Sequence, residues 1–345
     1  MGRATVTAYG MMRIIETTFV GLLDKKLPYW IKDGKEVPLP STLMDRLAYS
    51  VDLATSLRGN SWFRGTSWDW APKALVEYSP TWSMSRTRFV VGGIASLIQQ
   101  FLALDVIDTI IKSRTWDTTN AYPITSLPIH EQVMFATCVC VQTFLAITFP
   151  YTFFSCTFVL LGSHPSSWPP MFDKPFTASS LGEFWARRWH AIFRRVFERL
   201  SSAILRILSV VQHTNSPLDR TRRTIRAIVV FSLSACVHIL VMHRVDSTRG
   251  EEDSQAFLDP STVMFFLSQP LGLVVEGVVI IPLCDAFLPK GWKGFVTRAW
   301  AWAFLLFSGR FWADVWVHGG MWGKGEKSVG FSVVRGMKYG NWKMV

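Results

Sequence analysis

Two stretches of this sequence hold the residue types that chemistry needs. In the first, Phe231-Ser232-Leu233-Ser234-Ala235-Cys236-Val237-His238, a histidine stands inside a long apolar run entered through Arg226. Twelve residues separate Arg226 from His238, about 18 Å along an α-helix. An ionisable side chain that deep in an apolar helix is costly, faces the protein interior and reads as functional. A neutral imidazole there suits a general base; a hydrogen-bonded structural histidine is the competing reading. Ser234, one turn earlier, is a hydrogen-bond partner or a packing hydroxyl.

The second stretch runs Trp168-Pro169-Pro170-Met171-Phe172-Asp173-Lys174-Pro175-Phe176, then Ser179-Ser180-Leu181-Gly182-Glu183-Phe184-Trp185-Ala186-Arg187-Arg188-Trp189-His190. Ser180 and Glu183 have capping-box spacing, which predicts a helix start. On the helix expected to follow, Trp185, Trp189, Ile192, Phe193, Val196, Phe197 and Leu200 form one apolar stripe. Arg187, Arg188, Arg194, Arg195 and Arg199 fall opposite, with His190 at the edge of the stripe. A tryptophan-anchored helix with an arginine face belongs at a membrane surface, facing an anionic partner or lipid head groups. A smaller element, Arg64-Gly65-Thr66-Ser67-Trp68-Asp69-Trp70, places an arginine beside an amphipathic tryptophan pair. It reads either as a head-group or cofactor contact or as a turn at the membrane edge.

The elements that must position these residues are membrane-length. The chain has 345 residues, 49% of them hydrophobic, with 16 tryptophans and 25 phenylalanines. That composition predicts an all-α polytopic membrane protein with aromatic interfacial belts. Spans are expected at Phe89–Ile111, Gln132–Leu161, Thr224–Met242, Ser261–Phe287 and Phe295–Val317, within an overall range of about five to seven. Pro150 is expected to kink or end the second, and Asp105 to lie near a helix end. Glu276 is expected to meet His238, an arginine or water, because an unpaired carboxylate in a span is costly.

Residues 24–88, broken by five prolines, read as a loop-rich polar segment. Residues 162–226 carry eleven basic and four acidic side chains, so the positive-inside rule places this loop in the cytoplasm. The five cysteines lie in apolar runs, which argues against a disulfide framework, and Cys138 and Cys140 cannot hold a metal from one helix face. The net charge of +11 is spread among bulky apolar residues beside spans, a poor fit to nucleic acid. No second domain appears, so residues 1–345 read as a single unit.

The second stretch resembles the P-x-F-x-x-P…S-L-x-E-F-W-x-R-R-W-H signature of the wax-synthase-like branch of the membrane-bound O-acyltransferases. Ala186 stands where that family usually has Gly. The F-S-x-S-A-x-x-H string is similar to its second signature, and the likeness is strongest to fungal members that acylate terpenoid and meroterpenoid alcohols. The resemblance implies a multi-pass enzyme of the endoplasmic reticulum with acetyl-CoA as co-substrate, no bound cofactor or metal, and a lipophilic alcohol acceptor. It further implies His238 as catalytic base, with His190 assisting proton transfer, polarising the carbonyl or positioning CoA. Arg187, Arg188, Trp189 and Arg64 would bind acyl-CoA, and Glu276, Ser234, Trp185 and Glu183 would support the site. The family also has more hydrophobic helices ahead of the signature than the N-terminal region here supplies. A long-chain alcohol acyltransferase making wax esters is the nearest alternative, and a transporter or silent membrane scaffold the alternative from another class. No H-x-x-x-D motif, G-x-S-x-G elbow, P-loop or H-E-x-x-H helix is present.

Overall fold

Apolar runs of membrane length dictate the architecture, because every backbone polar group in a bilayer must be satisfied within its own helix. The computed structural model describes residues 2–23, 27–56, 58–61, 66–70, 84–189, 192–207, 218–246, 258–289, 291–323, 330–340 and 342. α1 spans Gly2–Ile15, and the main bundle is formed by α3 (Arg86–Ile111), α4 (Ile129–Leu160), α7 (Leu218–Asp246), α8 (Pro260–Val275) and α10 (Lys293–His318). α8 continues through a π turn at Glu276–Ile280 into α9 (Ile281–Phe287). Among the described residues four helices are long and apolar enough to cross a membrane: Arg86–Ile111, Ile129–Leu160, Thr221–Met242 and Pro260–Phe287. α10, 26 residues long, packs against α4 and α8 and completes the bundle. The protein is an all-α integral membrane protein.

Local chemistry sets the helix starts. The hydroxyl of Ser85 caps α3 by accepting from Arg88 N, and Asp259 caps α8 by accepting from Thr262 N, with Pro260 at the first helical position. The expected spans match these helices closely, but α4 runs unbroken through Pro150 for 32 residues. The core between them is aromatic: Phe135 of α4, Phe231 of α7, Phe265 and Phe266 of α8, and Trp312 and Trp316 of α10.

Asp105 lies towards the C-terminal end of α3, as expected, yet it is fully buried. Its Oδ2 accepts from Val334 N at 2.9 Å, at the start of a short helix, α11 (Val333–Tyr339). Asp108, one turn on, pairs with Arg335 of that helix and with Lys112 at 3.1 Å.

The 24–88 segment also holds more structure than its prolines suggest. Strands β1 (Trp30–Lys32) and β2 (Lys35–Glu36) form an antiparallel hairpin, and β3 (Ser67–Trp68) pairs on the other side of β1. Asp33 and Gly34 both have positive φ, 51° and 75°, the geometry of a tight two-residue hairpin turn. Helix α2 (Leu43–Thr55) covers this sheet, and buried Asp52 accepts from the indoles of both Trp30 and Trp68, at 2.8 and 2.9 Å.

Candidate active site

The signature stretch folds as several short pieces rather than one helix. Ser180 is extended, and its hydroxyl accepts from Glu183 N at 3.0 Å, starting α5 (Leu181–Glu183). A π turn over Phe184–Arg188 follows, and the chain is extended at Trp189 before α6 (Arg194–Ile207) begins. The expected continuous amphipathic helix is therefore broken. The break lets the Trp189 ring stack on Phe184 at 5.0 Å while also meeting Phe172 edge-on, also at 5.0 Å. π turns of this kind are frequent at functional sites.

Among the described residues Glu276 meets neither His238 nor an arginine. Its two carboxylate oxygens accept from Leu181 N at 2.6 Å and Gly182 N at 2.9 Å, so it is a cap for α5 delivered from α8's π turn. Gly182 packs tightly there: a Cβ would stand 3.3 Å from Glu276 Oε1. Trp185 is fixed in turn by its indole, which donates to Gln269 Oε1 at 3.1 Å. Gln269 donates onward to Ser308 Oγ of α10 at 3.1 Å.

The sequence-derived arginines divide into two sets. Arg188 donates to Glu183 Oε1 at 2.8 Å, to Thr177 Oγ1 at 2.8 Å and to the Asp173 carbonyl at 3.1 Å. Glu183 also accepts from the Ser179 hydroxyl and backbone N–H. The hydroxyl is the main influence holding its carboxyl down to about 2, with Arg188 helping and burial opposing. Arg187 pairs with Asp173 at 3.1 Å on the surface. Arg195 and Arg199 both reach Glu16, at 2.9 and 3.1 Å, and Arg13 joins them, so this face of α6 grips the N-terminal region. Burial pulls the Arg195 guanidinium down to about 10 against the upward influence of Glu16, and the same guanidinium sits 3.9 Å from the Trp70 ring centroid.

One cavity of about 530 Å³ runs between the signature segment and α4, α6, α7, α8 and α10. His238 and Ser234 line it, as do Trp185, Trp189, Phe231, Phe265, Phe266, Trp302 and Trp312. Arg194, Arg223, Arg226 and Glu198 line it as well. His238 Nδ1 lies 2.8 Å from the Ser234 carbonyl oxygen. A carbonyl can only accept, so Nδ1 carries the proton and Nε2 keeps its lone pair. The ring is held between Phe266, 4.5 Å away, and Trp312, 5.3 Å away and edge-on.

The structure thus brings His238, Ser234, Trp185 and Trp189 together at the cavity. Glu276 and Glu183 buttress its signature segment, and Arg187 and Arg188 do not line it. His190 and Arg64 lie outside the described residues. Arg226, read in the sequence only as the entry to this span, lines the cavity together with Arg223. Positions 223, 226, 230, 234 and 238 recur at helical spacing on one face of α7, a signal present in the sequence. Among the described residues no group of three or more His, Cys, Asp or Glu is placed to hold a metal.

A bundle of membrane helices closed around an aromatic cavity, with a histidine at depth and arginines nearer the helix ends, defines a polytopic membrane enzyme. Residues 168–268 match the family described as "Membrane bound O-acyl transferase family". The chain is 24% identical over 345 residues to Acetyltransferase ple2 of Rhodocybe pseudopiperita, covering 96% of this chain and 82% of that one. It is 32% identical over 160 residues to Acetyltransferase ataH of Aspergillus terreus, covering 45% of this chain and 48% of that one. To O-Mevalon transferase yanI of Aspergillus niger it is 22% identical over 290 residues, 78% of this chain and 61% of that one. No solved structure matches the chain. Over residues 168–268 the chain is similar to the membrane-bound O-acyl transferases, and these comparisons support an acyltransferase.

Proposed function

We propose that the protein transfers an acyl group from acyl-CoA, acetyl-CoA in the first place, to a hydroxyl of a lipophilic terpenoid or meroterpenoid alcohol. The observation that carries this reading is that one cavity contains both a histidine with a lone pair to offer and a set of arginines. Arg226 and His238 share α7, so about 18 Å of helix separates them. A CoA thioester has that polarity, with anionic phosphates joined by a flexible arm to an apolar reacting end. Two relatives carry acetyltransferase in their names, and a third is named for a different transferred group.

In this mechanism the phosphates lie against Arg194, Arg223 and Arg226, beside Trp189, and the acceptor fills the aromatic chamber. Guanidinium forks suit phosphate better than ammonium groups do. Arg187 and Arg188 hold the loop that carries Trp185 and Trp189. His238 Nε2 takes the proton of the acceptor hydroxyl as its oxygen attacks the thioester carbon, and transfer is direct, with no acyl-enzyme. His190 and Arg64 keep the assisting roles that the family resemblance implies. The 162–226 loop faces the cytoplasm, where acyl-CoA is found, in a protein of the endoplasmic reticulum membrane.

The test offers acetyl-CoA and long-chain acyl-CoA to microsomes carrying the protein, with a panel of terpenoid and fatty alcohols, and identifies products by mass. Terpenoid acetates are expected; wax esters would select the fatty-alcohol alternative. His238→Ala should lower turnover by about 10²–10⁴-fold, the worth of a general base. Near wild-type turnover in that variant, with insertion and size-exclusion profile intact, would remove the mechanism. Replacing Arg223 and Arg226 together with Gln should raise KM for acyl-CoA by about tenfold or more, in a salt-sensitive way.

A further inference from the structure

Helix α4 carries five threonines, and four of them use their hydroxyls as helical threonines commonly do. Thr137, Thr148, Thr152 and Thr157 each donate to the carbonyl four residues back, at 2.7–3.0 Å. Thr143 is different. Its Oγ1 accepts from Trp312 Nε1 at 3.0 Å, and among the described residues its own hydroxyl proton meets no protein acceptor. It stands midway along the stripe Ala136, Val139, Cys140, Thr143, Ile147 that α4 presents to the cavity.

The same indole that donates to Thr143 also packs edge-on against His238, with ring centroids 5.3 Å apart. Trp312 is buried, so it fixes both neighbours: its ring sets the base and its N–H sets the hydroxyl. The two polar groups that result are complementary. His238 Nε2 is an acceptor and can serve only a donor, such as an alcohol O–H. Thr143, with a lone pair already taken by Trp312, offers a donor and calls for an acceptor. Accepting the indole N–H also polarises the hydroxyl and strengthens it as a donor.

We propose that Thr143 is a further catalytic residue, whose hydroxyl donates to the thioester carbonyl oxygen and to the oxyanion formed there. The proposal rests on the acyl-transfer reading of the cavity. In the step it serves, the acceptor oxygen forms a bond to the carbonyl carbon while its proton passes to His238 Nε2. The carbonyl π pair moves to the oxygen, which is held by Thr143 Oγ1–H. The C=O bond then reforms, the C–S bond breaks, and the departing CoA sulfur takes the proton back from His238. The products are the ester and CoA, and Thr143 keeps its proton throughout. A donor aimed at developing charge in a water-poor site acts on the transition state more than on binding.

The experiment compares full-length wild type with Thr143→Val, Thr143→Ser, Trp312→Phe and His238→Ala in microsomes, with CoA release and ester yield measured against acyl-CoA concentration. Thr143→Val keeps the shape but loses the donor, and should lower kcat by about 10²-fold with KM for acyl-CoA nearly unchanged. Thr143→Ser restores the hydroxyl and should recover most of the rate. Trp312→Phe removes the indole N–H while keeping a ring against His238, and should cost only a few-fold. If Thr143→Val stays within about threefold of wild type while His238→Ala is inactive, the Thr143 assignment is wrong and the acyl-transfer reading survives. If Thr143→Val and Trp312→Phe fall equally, the hydroxyl only anchors the indole, and the assignment is again overturned. If His238→Ala stays active, the underlying reading fails and the proposal falls with it.

Discussion

Glu16 and Glu276 occupy the same local setting and are satisfied in opposite ways. Each is buried, at 2% and 4% exposure, and each opens a five-residue π turn. Glu16 is met by the guanidiniums of Arg13, Arg195 and Arg199, whereas Glu276 is met by two neutral peptide N–H groups. Charge against charge gives a strong but loosely directed grip, suited to holding the N-terminal region on α6. Peptide donors at 2.6 and 2.9 Å fix direction instead, and they position Gly182 at the cavity wall. A buried carboxylate here is a clamp in one region and a jig in the other.

The largest expected effect tests the jig. Glu276→Ala leaves the buried Leu181 N–H and the half-buried Gly182 N–H without an acceptor. At about 1–3 kcal/mol for a fully buried group, roughly 2–5 kcal/mol is lost. Thermal unfolding of the detergent-purified protein should show it, and turnover should fall with it because the wall beside Trp185 shifts. A neutral outcome would mean the N–H groups find another acceptor and the directional contrast with Glu16 is false. Next comes Glu16→Gln, which leaves three guanidiniums facing one another. Arg195 and Arg199 keep 16% and 21% side-chain exposure, so solvent screens part of the repulsion. The loss should be about 1–3 kcal/mol, below the roughly 3–5 kcal/mol of a fully buried pair. Added salt should shrink this deficit and leave that of Glu276→Ala unchanged; equal salt responses would erase the distinction.

Glu183 sharpens the comparison because it uses both kinds of partner, the Ser179 hydroxyl and N–H together with Arg188. Its folded value of about 2 lies below the ordinary glutamate value of about 4.3. Its contribution is therefore full above about pH 4.3 and is lost as pH falls through about 2. The stability gap between wild type and Glu183→Gln should narrow across that window, and a gap that widened on acidification would contradict the assignment. The smallest effect belongs to Arg187→Gln. Its partner Asp173 is 46% exposed and it is itself 65% exposed, so stability should change by less than about 1 kcal/mol. KM for acyl-CoA should also stay put, in contrast to the Arg223 and Arg226 replacements; a raised KM would return Arg187 to the donor site.

What could be read from the sequence was what is local in it. Apolar run length gave the helices of the bundle, and Ser180 with Glu183 gave the start of α5, because both signals arise within a few residues. His238 stood out because depth in a helix can be counted from Arg226. The partners of Glu276 lie 94 and 95 residues away, and no periodicity carries that information. The break at Trp189 was hidden for a related reason: helical spacing continues through it, and only the packing of Phe172 and Phe184 makes an extended residue preferable. Asp33-Gly34 was a readable hairpin signal that the surrounding prolines obscured. The arginines of α7 were legible too, but the double arginine beside Trp189 drew attention that its ion pairs to Glu183 and Asp173 do not support.

The hydrogen bond from Val334 N to Asp105 has a consequence for how the protein is made. It joins residues 229 apart, so the acceptor leaves the ribosome long before its donor. At about 5–20 residues per second that interval is on the order of 10–50 s. For all that time α3 sits in the membrane with the carboxylates of Asp105 and Asp108 lacking the N–H and guanidinium that finally meet them. α3 is thus finished only once α11 has been made. A ribosome stalled before residue 334 would leave α3 with Asp105 lacking its backbone donor and Asp108 with Lys112 alone.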